Sequence, residues 1–164
     1  MGAQTRRRDE LRAALRAARK KLLAAAGSLS DDDLRHRPSD DGWSAVEILA
    51  HLIDVDRHWL RQALAIAAGP AHVFEHFDDN RWKQENTGVR HHRPSVVHSQ
   101  LQASHAEVIA TIAALTDEEL GRSGIHPRGH VYTVGDVFGR YDDHDEAHAR
   151  QLHEICEMLA GERS

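Results

Sequence analysis

The sequence predicts an all-α fold: a four-helix bundle with a long crossover between the second and third helices. Three observations carry this. Four long stretches repeat their apolar residues at the spacing of one helix face. Ser/Thr caps stand immediately before the second and fourth of them. No stretch alternates with the period of two that a half-buried strand requires.

The first helix is expected from Thr5 to Ala26, with Leu11, Leu15 and Leu22 along one face, and it stops before Gly27-Ser28. Ser30-Asp-Asp-Asp33 starts a short helical turn. Ser44-Ala-Val-Glu47 is a capping box, and Trp43 and Ile48 are placed to staple it. The second helix then runs through His51 and Trp59 to about Ala68, ahead of Gly69-Pro70. From Gly69 to Pro94 the periodicity dissolves. A connection this long is functional or disordered, and Phe74, Phe77 and Trp82 favour a packed lid. The third helix spans Ser95 to about Leu115, with Val97, Leu101, Val108 and Ile112 on one face. Thr116-Asp-Glu-Glu119 caps a short turn. After a Gly- and Pro-containing loop, Thr133 caps the fourth helix, Val134 to about Leu159. The four helices are read as antiparallel, within a single domain over 1–164.

At 164 residues the chain is long enough to bury a core without disulfides or structural zinc. Its one cysteine, Cys156, excludes a disulfide framework and a CxxC site, so a reducing, cytoplasmic setting is expected. Arg6-Arg7-Arg8 runs into Asp9-Glu10 with no apolar segment behind it, unlike a signal peptide. No apolar run is long enough to span a bilayer. The net charge of −5 argues against a nucleic-acid partner, and the Arg run reads as a solvated face. A small-molecule partner is the expectation that remains.

Histidine is abundant, at 14 residues. Spacing alone is therefore weak evidence, since roughly one H-x3-H pair arises by chance and the chain has three. His126 and His130 flank Pro127 and Gly129 and belong to a loop; His72 and His76 lack a cap or apolar stripe. Both pairs read as surface histidines. His144 and His148 differ, because they fall on the apolar stripe defined by Val137, Tyr141, Leu152 and Ile155. Two imidazoles one turn apart point the same way and can grip one metal ion. Asp142, Asp143, Asp145 and Glu146 stand nearby as acceptors for the rings' other nitrogens. A third ligand must come from another helix, and helical position leaves His51 and His105 equal. Cys156 reads as a small core residue, and Glu47 as the partner of its helix cap.

The segment Gly42-Trp-Ser-Ala-Val-Glu-Ile-Leu-Ala-His51-Leu-Ile-Asp resembles the signature of the DinB/YfiT-like superfamily of bacterial metalloproteins. So do Thr133-Val-Gly-Asp-Val-Phe, the run His144-Asp-Glu-Ala-His148 and the Phe-Asp-Asp-Asn-Arg-Trp stretch ending at Trp82. The likeness covers essentially the whole chain. It implies a helical bundle, often dimeric, in which His51, His144 and His148 bind a divalent ion such as zinc or nickel. It thereby favours His51 over His105. Three imidazoles leave coordination positions open, as in catalytic sites.

The resemblance also implies an activity. Related proteins include transferases and an isomerase that use mycothiol or bacillithiol, so a metal-dependent thiol S-transferase is the leading expectation. The low-molecular-weight thiol would be co-substrate, the 70–93 segment would shape the pocket, and Arg81, Arg90 or Arg93 would hold a carboxylate. The alternatives are a metal-dependent hydrolase, with Asp54 or Glu146 as general base, and a non-catalytic stress-response module retaining a vestigial site.

Overall fold

A computed structural model describes residues 2–69 and 71–164, with side chains from Arg7 onward. In chain order its elements are α1 (Gly2–Gly27), α2 (Asp31–Arg35), α3 (Ala45–Ala68), α4 (Asp79–Glu85), a 3-10 turn (Val89–His91), α5 (Pro94–Ala114), α6 (Asp117–Gly121), β1 (Ser123–Ile125), β2 (Val131–Thr133) and α7 (Val134–Glu162). The four long helices are the bundle. Capping boxes start α2, α3, α6 and α7, from Ser30, Ser44, Thr116 and Thr133. Each cap satisfies backbone N–H groups that the first helical turn leaves unpaired, worth about 1 kcal/mol. At α3 the box is reinforced: Ser44 N and Oγ both donate to Glu47 at 2.8 Å, and Arg37 Nε donates to the same carboxylate at 3.0 Å.

The helices are not all antiparallel, which corrects the sequence reading. One half of the core gathers Leu22, Ala45 to Ile53, Val97, Leu101, Leu152 and Leu159. The other gathers Leu15, Leu60, Ile66, Val108, Ile112, Val134 and Phe138. Chain numbers rise from the first half to the second along α3 and α5, and from the second to the first along α1 and α7. So α3 and α5 run parallel as packed neighbours, and so do α1 and α7. A parallel pair cannot be joined by a short turn, and this is why the crossover must return along the bundle's length.

A second correction concerns strands. β1 pairs antiparallel with β2 in the register Ser123↔Thr133, Gly124↔Tyr132 and Ile125↔Val131. Three-residue strands are too short to display a period of two. The connecting turn uses Gly129 at φ 84°, in the region that favours glycine. Gly124 is needed for space, since a Cβ there would lie 2.7 Å from Ile66 and 3.0 Å from the His72 carbonyl. The crossover docks on this ribbon: Phe74 N donates to the Ile125 carbonyl at 2.7 Å, and Ile125 N to that of His72 at 2.9 Å. Phe74, Trp82 and Val89 then bury themselves in turn. Residues 71–93 are thus a packed cover, as the aromatics predicted. No described helix is long and apolar enough to cross a membrane.

Candidate metal centre

Between the two apolar halves of the core each long helix contributes a buried polar residue: Arg19, Asp56, Ser104 and Asp145. Arg19 donates to Asp145 from Nε at 2.6 Å and to Asp56 from Nη2 at 3.0 Å, while Ser104 Oγ donates to Asp56 at 2.7 Å. Burial raises the pKa of both carboxyls, Asp145 to about 6, against the opposing pull of the Arg19 charge. The sequence reading missed this centre. Its signal was present, since Arg19 interrupts the Leu15–Leu22 stripe and Asp56 that of Leu52 and Leu60.

The three histidines stand on α3 and α7, His51 within the first half of the core and His144 and His148 to either side of Asp145 in sequence. His51 sits two turns into α3 and is 2% exposed. One ligand-capable atom from each of His51, His144 and His148 lies within 4.8 Å of the others. The ring centroids are 5.5 Å apart for His51 and His144, 5.2 Å for His51 and His148, and 4.5 Å for His144 and His148.

Two details test whether a metal ion fits. The Nε2 atoms of His144 and His148 are 3.2 Å apart, close to the roughly 3.3 Å between two nitrogens sharing a tetrahedral ion at about 2.0–2.1 Å. The Nδ1–H of His148 donates to Gln151 Oε1 at 2.9 Å, which leaves the Nε2 lone pair free. His51 Nδ1 is buried without a hydrogen-bond partner, and its Nε2 has only Asp79 Oδ1 at 3.5 Å. A buried imidazole so poorly satisfied is costly unless a ligand completes it. The donor set fits a divalent ion.

The electrostatics agree. Burial, reinforced by the neighbouring imidazoles, pushes His51 down to about 3. Burial, then His148 and Arg19, push His144 to about 3. Burial also lowers His148. At neutral pH all three are uncharged, the form that ligates. Aromatic rings enclose them: Trp43, Phe77 and Trp82 stand edge-on to His51 at 4.9, 5.3 and 5.3 Å, and Trp59 lies 5.0 Å from His144.

Other expected site residues fall elsewhere. Asp54 accepts the Trp82 indole N–H at 2.8 Å, which ties the crossover to α3. Glu146 pairs with exposed Lys21 at 3.2 Å, in a groove between α1 and α7. Arg81 is engaged by Glu85 at 2.8 Å, Arg90 bonds His91, and Arg93 is the exposed residue before α5. His105 faces a groove beside Arg12, Arg16 and Arg19, away from α7. Asp145 is held by Arg19, and Asp143 is exposed. Half-buried Cys156 lines the α1–α7 groove with Sγ 3.5 Å from Ser28 Oγ, rather than filling the core.

The structure also gathers residues that the sequence reading left out. A cavity of about 130 Å³ adjoins His144, walled by Val55, Trp59, Phe74 and Phe77, with Asp79, His76 and Arg140 as polar groups. His126 is buried, not a surface residue, and meets His76 Nε2 to Nε2 at 2.5 Å. Nothing in local spacing brings residues 76, 126 and 140 together; the crossover's docking on the ribbon does.

Comparison with known proteins identifies the fold and the family. The chain is 26% identical over 142 residues to the uncharacterized protein YuaE of Bacillus subtilis, covering 80% of this chain and 88% of that one. It is 24% identical over 141 residues to YfiT of the same organism, covering 85% and 78%. The solved structure of YfiT, described as a probable metal-dependent hydrolase with an unusual four-helix bundle topology, superposes with a TM-score of 0.77 at 23% identity, over 93% of this chain and 87% of that one. A mycothiol-dependent maleylpyruvate isomerase superposes with a TM-score of 0.73 at 10% identity, over 88% of this chain but 60% of the isomerase. Residues 14–152 match the DinB superfamily, and the chain belongs to that family.

Proposed function

We propose that the protein is a metal-dependent enzyme that activates a low-molecular-weight thiol, of mycothiol or bacillithiol type, for transfer to an electrophile. The observation that carries this reading is the trio of neutral imidazoles, His51 buried and His144 and His148 partly so, with His144 lining an aromatic-walled cavity. Zinc and nickel both suit imidazole donors. An ion held by three protein ligands keeps a position free and lowers the pKa of a thiol or water bound there. His51, His144 and His148 hold the ion, Gln151 fixes the His148 tautomer, and Trp59, Phe74 and Phe77 exclude bulk water from the cavity. The fold shared with a mycothiol-dependent isomerase supports the choice of thiol.

One observation favours hydrolysis as the second reading. Asp79 lines the same cavity with Oδ1 3.5 Å from His51 Nε2, a carboxylate placed to serve as a general base. The kinship with YfiT supports it too. Metal-loaded protein assayed against a panel of electrophiles and esters separates the two. Thiol-dependent consumption of the electrophile, indifferent to Asp79→Asn, is the expected result. Turnover without thiol, lost in Asp79→Asn, would establish the hydrolase, and no turnover by stoichiometrically loaded protein would leave a binding module.

A further inference from the structure

Arg140 and His144 stand four residues apart on α7, on the same helix face, and both line the 130 Å³ cavity. Arg140 is held in place without being neutralised. Its Nη1 donates to the Tyr132 hydroxyl at 2.7 Å, and its guanidinium lies 5.3 Å from the centre of the Tyr132 ring. No carboxylate forms an ion pair with it among the described residues. An oriented guanidinium with spare N–H donors on a cavity wall is a carboxylate receptor.

The neighbouring histidines add a second donor. His126 Nδ1 accepts the Arg128 backbone N–H at 3.1 Å, so its proton resides on Nε2 and is donated to His76 Nε2. With its Nε2 accepting, His76 has Nδ1 as its remaining donor nitrogen. Arg140 and His76 both line the cavity. Its carboxylate, Asp79, stands beside His51.

Resting on the metal-dependent reading above, we infer that this cavity takes a small organic acid, with Arg140 gripping its carboxylate and its reactive group directed to the His144 side. Neighbouring turns place the two anchors roughly 5–6 Å apart at their Cβ atoms, so the acid is a short one. The volume agrees, since at about 130 Å³ it is close to the roughly 150 Å³ of a cavity that takes benzene.

The test uses full-length protein loaded with cobalt(II), whose thiolate absorption band reports binding directly. Two probes share a thiol and differ in the acid: mercaptopropionate and mercaptoethanol. Wild type is expected to bind mercaptopropionate about tenfold more tightly, the size of one charge-assisted pair. Arg140→Gln, at an exposed position, is expected to abolish that preference and leave mercaptoethanol binding unchanged. Equal affinities in the wild type, or a preference that survives Arg140→Gln, would overturn the inference while leaving the thiol reading intact. Absence of a thiolate band for both probes, with cobalt stoichiometrically bound, would overturn the thiol reading and this inference with it.

Discussion

Arg19 reaches across the bundle to Asp145, Nε to Oδ2 at 2.6 Å, and that aspartate stands between the two metal-ligating candidates of α7. The same guanidinium holds Asp56 of α3 at 3.0 Å. One buried cation thus ties together the two helices that carry His51, His144 and His148. Arg19→Met strands two buried carboxylates and is expected to destabilise the fold by about 3–5 kcal/mol, read by urea denaturation. Replacing all three groups, as Arg19→Met/Asp56→Leu/Asp145→Leu, should recover most of that loss. Failure to recover would mean the polar layer stabilises by more than its charge balance.

Trp82 and Asp54 fasten the crossover to α3 through the indole N–H. Trp82→Phe removes one charge-assisted hydrogen bond, worth about 1.5–3 kcal/mol. Hydrogen exchange over 79–85 should accelerate by tenfold or more, while the amides of α1 and α5 exchange as before. Uniform acceleration would show that the crossover is not a separately opening unit.

The parts of this architecture written in local sequence were legible. The Ser44 and Thr133 boxes, the four apolar stripes and the aromatics of the crossover each announce themselves within a few residues, and they predicted α3, α7 and the packed cover. The His144–His148 pair was visible because imidazoles stood on an apolar stripe. What the chain leaves implicit depends on residues far apart in sequence. The parallel pairing of α3 with α5 follows from which core half each helix end joins. Asp79, His76 and Arg140 meet only because the crossover docks on a ribbon whose strands are too short to show a period. Helical pattern alone leaves His51 and His105 equal; the family resemblance favours His51, and the packing of α7 against α3 is what brings it to the other two.

That separation is testable. His51→Ala should weaken metal binding by at least a hundredfold, since it removes one of the three nitrogens brought together. His105→Ala should leave affinity within threefold, because His105 faces the α1–α5 groove. Metal competition with a chromophoric chelator reads both, and the reverse ranking would move the site.

Acid sensitivity follows from the imidazoles. Unfolded, each titrates near 6.5; folded, His51 and His144 are pushed to about 3, chiefly by burial. The unfolded chain binds more protons across that interval, so their contribution is full above pH 6.5 and declines as pH falls toward 3. Asp145, raised to about 6, runs the opposite way, and its contribution is full below 3.8 and lost as pH rises through 6. In metal-free protein, His144→Leu should therefore shift the pH profile of the urea midpoint, giving relatively better stability at pH 5 than at pH 7 against wild type. An unchanged profile would mean His144 is not buried neutral.

The central claim is that His51, His144 and His148 hold one divalent ion, and the most direct test is the metal content of untagged protein by mass spectrometry. The wild type is expected to carry about one ion per chain, and the His144→Ala/His148→Ala double variant, folded by circular dichroism, none. Metal retained by the double variant, or no metal in wild type even after reconstitution with zinc and nickel, would contradict it.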